Sequence, residues 1–229
     1  MTARNRKIVS LSAILLLLLL FVAGSLWRLT HLRAEPNIPK INGFIINEPK
    51  PLASFQLSDH QNNSFTQQQL KGHWHIITYG YTHCPDVCPT MLMTMVGLEK
   101  LLNSVQMSDQ FNILFYSVDP TRDSAKVLTQ YVRYFSPNFT AIYATKVKHK
   151  NQFERILGIK SEVTPPSKPG KSYLVSHSTS ILIINPAGQL QAVLLPTLTE
   201  LGVNELSAEQ VFEDLTKISQ YVSSRSIEM

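Results

Sequence analysis

From Ile8 to Trp27 the chain runs for 20 residues without a charged side chain, and Leu15 to Leu20 form an unbroken leucine block. Wound as an α-helix at 1.5 Å per residue, that run reaches about 30 Å, the thickness of a bilayer's hydrocarbon core. The expectation is an N-terminal transmembrane helix. Arg4, Arg6 and Lys7 precede it, so the positive-inside rule keeps the short N-terminus in the cytoplasm and exports everything after Trp27. The competing reading is a signal peptide cut after Gly24, for which the apolar stretch is long. Too few residues precede the run for a Ser- and Arg-rich transit peptide. The expected location is therefore a bacterial inner membrane, crossed once, with the C-terminal domain in the periplasm. On this reading residues 1–35 are the anchor (span 8–27) and the start of a linker, and residues 36–229 are one folded domain.

A net charge of +5 would suit nucleic acid, but the charge is not spread over the chain. Residues 1–35 hold Arg4, Arg6, Lys7, Arg28 and Arg33 against Glu35, or 5 − 1 = +4, and the remaining residues hold 16 basic and 15 acidic side chains, or +1. The basicity belongs to the membrane tail, and nucleic acid is excluded as a partner.

An exported domain lives where disulfides persist, yet this one has only Cys84 and Cys88. Bridging them closes so short a loop that chain entropy supplies only about 2 kcal/mol. The pair is better explained by chemistry, either redox cycling or metal capture.

The proline-rich stretch Arg28 to Pro51 reads as a spacer. Beyond it, a hairpin is expected about Asp59 to Asn63, a strand at His75–Tyr81, and a helix opened by Pro89 and running to about Asn103. A second strand is expected at Asn112–Val118, then a helix Ser124–Phe135 with Asp123 as its N-cap, a strand Phe139–Ala144 and a helix Lys148–Leu157 ended by Gly158. Thr164–Lys171, with three prolines, is expected to be a mobile loop. Strands Ser178–Ile184 and Gln189–Leu195 and a capped helix Ser207–Val222 complete the pattern. The order β-α-β-α then β-β-α, with a cysteine pair after the first main strand, is that of an α/β, thioredoxin-like fold.

Three residues separate Cys84 from Cys88, where thioredoxin-type oxidoreductases have two. Placed before a helix that starts at Pro89, both sulfurs would face unpaired N–H groups and the positive end of the macrodipole, which favour thiolate. Two thiolates close together form a soft clamp suited to Cu(I), or to Zn(II) with further ligands. Spacing alone leaves redox and metal readings open. His177 is placed in a loop before the strand at Ser178, where a thioredoxin-like sheet brings chain near the cysteines. Met91, Met93 and Met95 scatter around a helix axis and read as packing residues.

Three blocks of residues resemble the Sco/SenC family: GYTHCPDVCP from Gly80 to Pro89, SVDPTRD from Ser117 to Asp123, and YLVSHS from Tyr173 to Ser178. The resemblance covers roughly residues 40 to 225. It implies a membrane-anchored copper protein that assembles the CuA centre of cytochrome c oxidase, a metallochaperone and not an enzyme, with Cys84, Cys88 and His177 binding Cu(I) or Cu(II). It implies as partners the oxidase's copper-site subunit, the inner membrane, and other periplasmic copper chaperones or thiol-disulfide partners. The rival reading is a thiol-disulfide oxidoreductase or redox sensor using a Cys84–Cys88 disulfide. His83, Asp86, Asp119 and Arg122 are expected around the metal or at the partner's docking face. Ser176 stands where the family usually has Asp and removes a carboxylate from the surroundings of His177.

Overall fold

Trp74–Gly80 (strand β4) carries Trp74, Ile76 and Thr78 toward one side and His75, Ile77 and Tyr79 toward the other, and all seven residues are buried. A strand apolar on both faces must be central, with helices covering it. The computed structural model describes residues 3–30, 38–166, 172–198 and 204–227. It divides into two units, Met1–Ile38 and Pro39–Met229.

The first unit holds helix α1, Ala3–Thr30. Its side chains are described from Ile14 to Trp27, and Leu15 to Phe21 are 56–73% exposed. Among the described residues no helix is long and apolar enough to cross a membrane. The expected span 8–27 lies within α1, and its side chains are described only from Ile14 on.

In the second unit, the chain forms β1 (Gly43–Ile45), β2 (Leu57–Asp59), β3 (Ser64–Phe65), β4, α2 (Val87–Ser104), β5 (Phe111–Ser117), α3 (Ala125–Phe135), β6 (Thr140–Tyr143) and α4 (Val147–Leu157). There follow β7 (Ser161–Thr164), β8 (Leu174–His177), β9 (Ile181–Ile184), β10 (Leu190–Leu194), the ribbon β11 (Thr197–Leu198) with β12 (Asn204–Glu205), and α5 (Ala208–Ile227). Among the described residues, one eight-stranded sheet has the order β1-β10-β9-β4-β5-β6-β2-β3. β4, β5 and β6 are parallel, while β9 runs antiparallel to β4. This is the expected thioredoxin-like α/β arrangement, widened by edge strands.

Side chains from alternate strand positions build two cores. Ile76, Phe115 and Ile183 pack with Leu92 and Leu98 of α2, Leu128 of α3 and Leu215 of α5. On the other face Ile77, Tyr116 and Ile184 pack with Phe153 of α4, and both cysteines belong to this second cluster. Gly158 ends α4 in the left-handed conformation, φ 71°, which a residue with a Cβ adopts at a cost.

Several boundaries differ from the sequence-based expectation. Helix α2 starts at Val87, so Pro89 is its third residue and Cys88 lies inside the first turn. Ser124, not Asp123, caps α3, its hydroxyl accepting from the Val127 amide at 3.4 Å. His177 is not in a loop: it closes β8, which pairs antiparallel with β7 in the register Ser161↔His177. The next sheet strand starts at Ile181 instead of Ser178. Residues 167–171 of the expected mobile loop lie outside the described residues; of residues 164–166, Thr164 pairs with Leu174 at the end of the β7–β8 hairpin.

Candidate metal centre

The two sulfurs and one imidazole converge beyond the end of β4. Cys84 sits in the turn between β4 and α2, and its Sγ accepts the backbone N–H of Cys88 at 3.4 Å. That contact replaces a helix cap, because Asp86 occupies the N-cap position without a side-chain bond and Pro89 has no N–H to satisfy. Cys88 is 3% exposed and Cys84 8%, and both are free thiols. The Cys88 side chain fits only because residue 80 is glycine: a Cβ there would lie 2.6 Å from its Sγ.

His177 approaches from β8, its Nε2 3.5 Å from Cys88 Sγ. Its Nδ1 lies 2.8 Å from the Ser178 carbonyl oxygen. A carbonyl only accepts, so Nδ1 donates and carries the proton, which leaves the Nε2 lone pair facing sulfur. The ring is flanked by Tyr79 and Tyr81, with centroids 5.8 and 6.2 Å away.

Charge is divided unequally between the thiols. The Cys88 thiol donates to Cys84 and holds the Cys84 thiol down, to about 4, against the opposing effect of burial. Cys88 is pushed up, first by making that hydrogen bond and then by burial. The metal-free site is thus a thiolate–thiol pair with an imidazole beside it.

Among the described residues no group of three or more His, Cys, Asp or Glu side chains is closed around a metal position. The three donors are instead neighbours in pairwise contact. A sulfur and a nitrogen on one metal, at about 2.3 and 2.0 Å from it, stand about 3.5 to 3.7 Å apart. The 3.5 Å between Cys88 and His177 is close to that separation.

Two networks fix the frame. Asp123 is fully buried and accepts from the Thr82 hydroxyl and the Ser117 hydroxyl, both at 2.6 Å, and from the Thr82 amide. It ties the cysteine turn to the end of β5, and burial raises its carboxyl above the usual carboxylate range despite these bonds. Asp119 accepts from Arg122 Nε at 2.5 Å and from the Tyr173 hydroxyl at 2.8 Å. Arg122 lies 3.5 Å from the Tyr173 ring centroid and donates to the Tyr173 carbonyl oxygen and Ser172 hydroxyl. The β5–α3 turn thereby grips the chain entering β8, four residues before His177.

The side chains of the remaining expected residues lie at the surface, although the Asp86 backbone hydrogen-bonds the Cys84 sulfur. His83 is exposed, with Nδ1 3.1 Å from the Thr82 hydroxyl. Asp86 is exposed. Ser176 is exposed and meets Thr164 Oγ1 across the hairpin at 3.2 Å, on the strand face opposite to His177. Met95 is buried and Met93 57% exposed, so the methionines form no cluster. An open cleft of about 690 Å³ lies beside His177, lined by Arg155, Lys160, Ser161 and Glu162 among others. Sequence reasoning missed Tyr79, Tyr81, Thr82 and Tyr173; only the steric demand on Gly80 had a signal, a glycine at the end of a β-branched and aromatic run.

Residues 46–211 match the family model described as SCO1/SenC. The mitochondrial protein SCO1 of Saccharomyces cerevisiae is 37% identical over 136 residues, 59% of this chain and 45% of that protein. The SCO2-like protein RP587 of Rickettsia prowazekii is 30% identical over 182 residues, 77% of this chain and 85% of that one. The chain thus spans about half the length of its yeast relative and most of its rickettsial one. Yeast Sco1, crystallised with copper bound, superimposes with a TM-score of 0.60 at 29% identity, over 73% of this chain and 90% of that one.

Proposed function

Because the chain belongs to the SCO1/SenC family, we propose that it is a membrane-anchored copper chaperone that holds one copper ion on Cys84, Cys88 and His177 and delivers it to the CuA centre of cytochrome c oxidase during assembly. The observation that carries this reading is the imidazole lone pair 3.5 Å from Cys88 Sγ, beside a second sulfur bonded to the Cys88 amide. Dithiol exchange needs no such nitrogen. Two thiolates and one imidazole give a site of net charge zero with Cu(II) and −1 with Cu(I), and this donor set suits both ions. Copper, here the cargo, leaves by ligand exchange, an acceptor's thiolates replacing these donors one at a time. The cleft beside His177 makes the imidazole side the approach for the acceptor, since the sulfurs are buried.

The anchoring part rests on α1, whose described side chains from Ile14 to Phe21 are apolar on every face of the helix. A helix apolar all round belongs in a protein core or a membrane. With Arg4, Arg6 and Lys7 before it, the domain faces the periplasm across a bacterial inner membrane. Fractionation with a protease-accessibility assay tests this, and a domain protected from protease added to the periplasmic side would overturn it.

Copper titration of the reduced full chain tests the chaperone reading. One equivalent is expected, with full stoichiometry lost in Cys84→Ala and Cys88→Ala. Either variant retaining one tightly held copper would refute the ligand set. The depressed Cys84 thiol favours a second activity through the same pair, reduction of the acceptor's copper-site cysteines. It predicts that the metal-free protein, its pair re-reduced by an added dithiol, reduces a disulfide substrate faster than free thiols do and that this survives His177→Ala; no rate above that of free thiols would remove it.

A further inference from the structure

The His177 imidazole is held from behind by groups that touch neither sulfur. Its Nδ1–H donates to the Ser178 carbonyl at 2.8 Å, so the position of residue 178 decides where Nε2 points. Residue 178 is held in turn by strand β4. The Tyr79 hydroxyl hydrogen-bonds the Ser178 hydroxyl and also the Ser180 hydroxyl, at 2.6 Å, and the two serine hydroxyls are 3.4 Å apart. Each hydroxyl has one proton to give and room to accept, so the triangle satisfies all three groups. Tyr79 is 5% exposed and Ser180 8%, which shields the Tyr79–Ser180 bond from water and strengthens it, while Ser178 is exposed. The two serines bound the turn that leaves His177 and enters β9 at Ile181. One phenol therefore pins both sides of that turn.

Phenylalanine would fill the same volume at position 79, so the hydroxyl must be explained separately from the ring's packing. We infer that the Tyr79 hydroxyl is a positioning group for His177: it holds Ser178 so that the Ser178 carbonyl keeps the proton on Nδ1 and presents the unprotonated Nε2 to Cys88. The inference rests on the copper-site reading above for its consequence, but not for its geometry. Without the hydroxyl the turn loses its tie to β4, and the imidazole is free to rotate or to exchange tautomer.

The test is Tyr79→Phe in the full chain, read in two ways. In the reduced, metal-free protein, the 15N shifts of the His177 ring nitrogens report the tautomer: the parent should show a single Nδ1–H form and the variant a mixture. Cu(II) affinity should then fall by about tenfold, the scale of losses when a ligand's supporting hydrogen bond is removed, and Cu(I) affinity by less. Ser178→Ala removes the same bond from the other side, at an exposed position, and carries the test if Tyr79→Phe folds poorly. The double variant should be no worse than either single one, because both delete one interaction. Unchanged ring shifts in both variants, or losses that simply add in the double variant, would overturn the inference. A parent chain that takes up no copper would instead overturn the copper reading, and the tautomer in the metal-free protein would still decide the role of Tyr79.

Discussion

Gly80 and Cys88 are packed so closely that a methyl group on the Gly80 Cα would come within 2.6 Å of the sulfur. The last residue of β4 therefore sets how near the first turn of α2, and its sulfur, can stand to the sheet.

Gly80→Ala should push Cys88 away from His177 and strain the strand end. Overpacking of this kind costs about 1–3 kcal/mol, so the melting temperature should fall and copper should bind more weakly. Parallel thermal melts and copper titrations check this. A variant with parental stability and affinity would mean that the turn yields freely.

His177→Ala should weaken Cu(II) much more than Cu(I), because two soft thiolates alone hold Cu(I) in a near-linear arrangement while Cu(II) needs the imidazole. Competition titrations with chelators for each oxidation state measure the two affinities. Equal affinity of variant and parent for Cu(II) would remove His177 from the ligand set.

Cys84 should be the reactive thiol of the metal-free protein. With its thiol held down to about 4 by the Cys88 hydrogen bond, its alkylation rate should show no titration step between pH 6 and 8, where an ordinary cysteine at about 8.5 gains tenfold or more. Mass spectrometry after brief iodoacetamide treatment should find the label on Cys84 and none on Cys88. A midpoint near that of a free thiol would contradict the thiolate assignment.

Arg122→Ala should loosen the β7–β8 hairpin while leaving the cysteine turn ordered, since Arg122 and Asp119 grip Tyr173 and Ser172 whereas Asp123 holds Thr82. Amide exchange at Val163 and Val175, which pair across the hairpin, should speed up. Arg122→Lys should rescue it only in part, because an ammonium cannot reproduce the flat stacking on Tyr173. Unchanged exchange in Arg122→Ala would show the hairpin to be held elsewhere.

His75 lies in the core with neither ring nitrogen hydrogen-bonded. Burial, with a smaller contribution from His73, lowers it from 6.5 to about 4. The unfolded chain then binds the extra proton first, so stability is full above about pH 6.5 and falls as pH drops toward 4, by about 3 kcal/mol in all. His75→Leu should flatten that part of the profile. Urea unfolding of both proteins at pH 7, 5.5 and 4 gives the comparison, and parallel profiles would refute it.

Much of the fold was legible because its signals are local. The apolar run His75 to Tyr81, Gly158 after an amphipathic stretch, and Asn185 to Gly188 between two β-branched segments each carry their own backbone instruction. The spacing of the cysteine pair pointed to redox or metal chemistry without deciding between them, and the three blocks declared the family. The errors fell where local signals compete. Pro89 suits the first helical position, but Cys84 Sγ caps the Cys88 amide and lets the helix begin two residues earlier. Asp123 suits a cap, but the hydroxyls of Thr82 and of the buried Ser117 claim its carboxylate.

The sequence by itself determined that two cysteines stand with three residues between them, that a histidine lies in the third block, and that residues 8–27 carry no charged side chain. Only the tertiary structure decided that His177 sits on a paired strand, that its Nε2 and not its Nδ1 faces Cys88, and that Tyr79, Arg122 and Asp123 hold the two sides of the site. The reason is separation along the chain. Cys88 and His177 are 89 residues apart, and Tyr79 meets Ser178 across 99. No local propensity encodes contacts that exist only once β9 has paired beside β4.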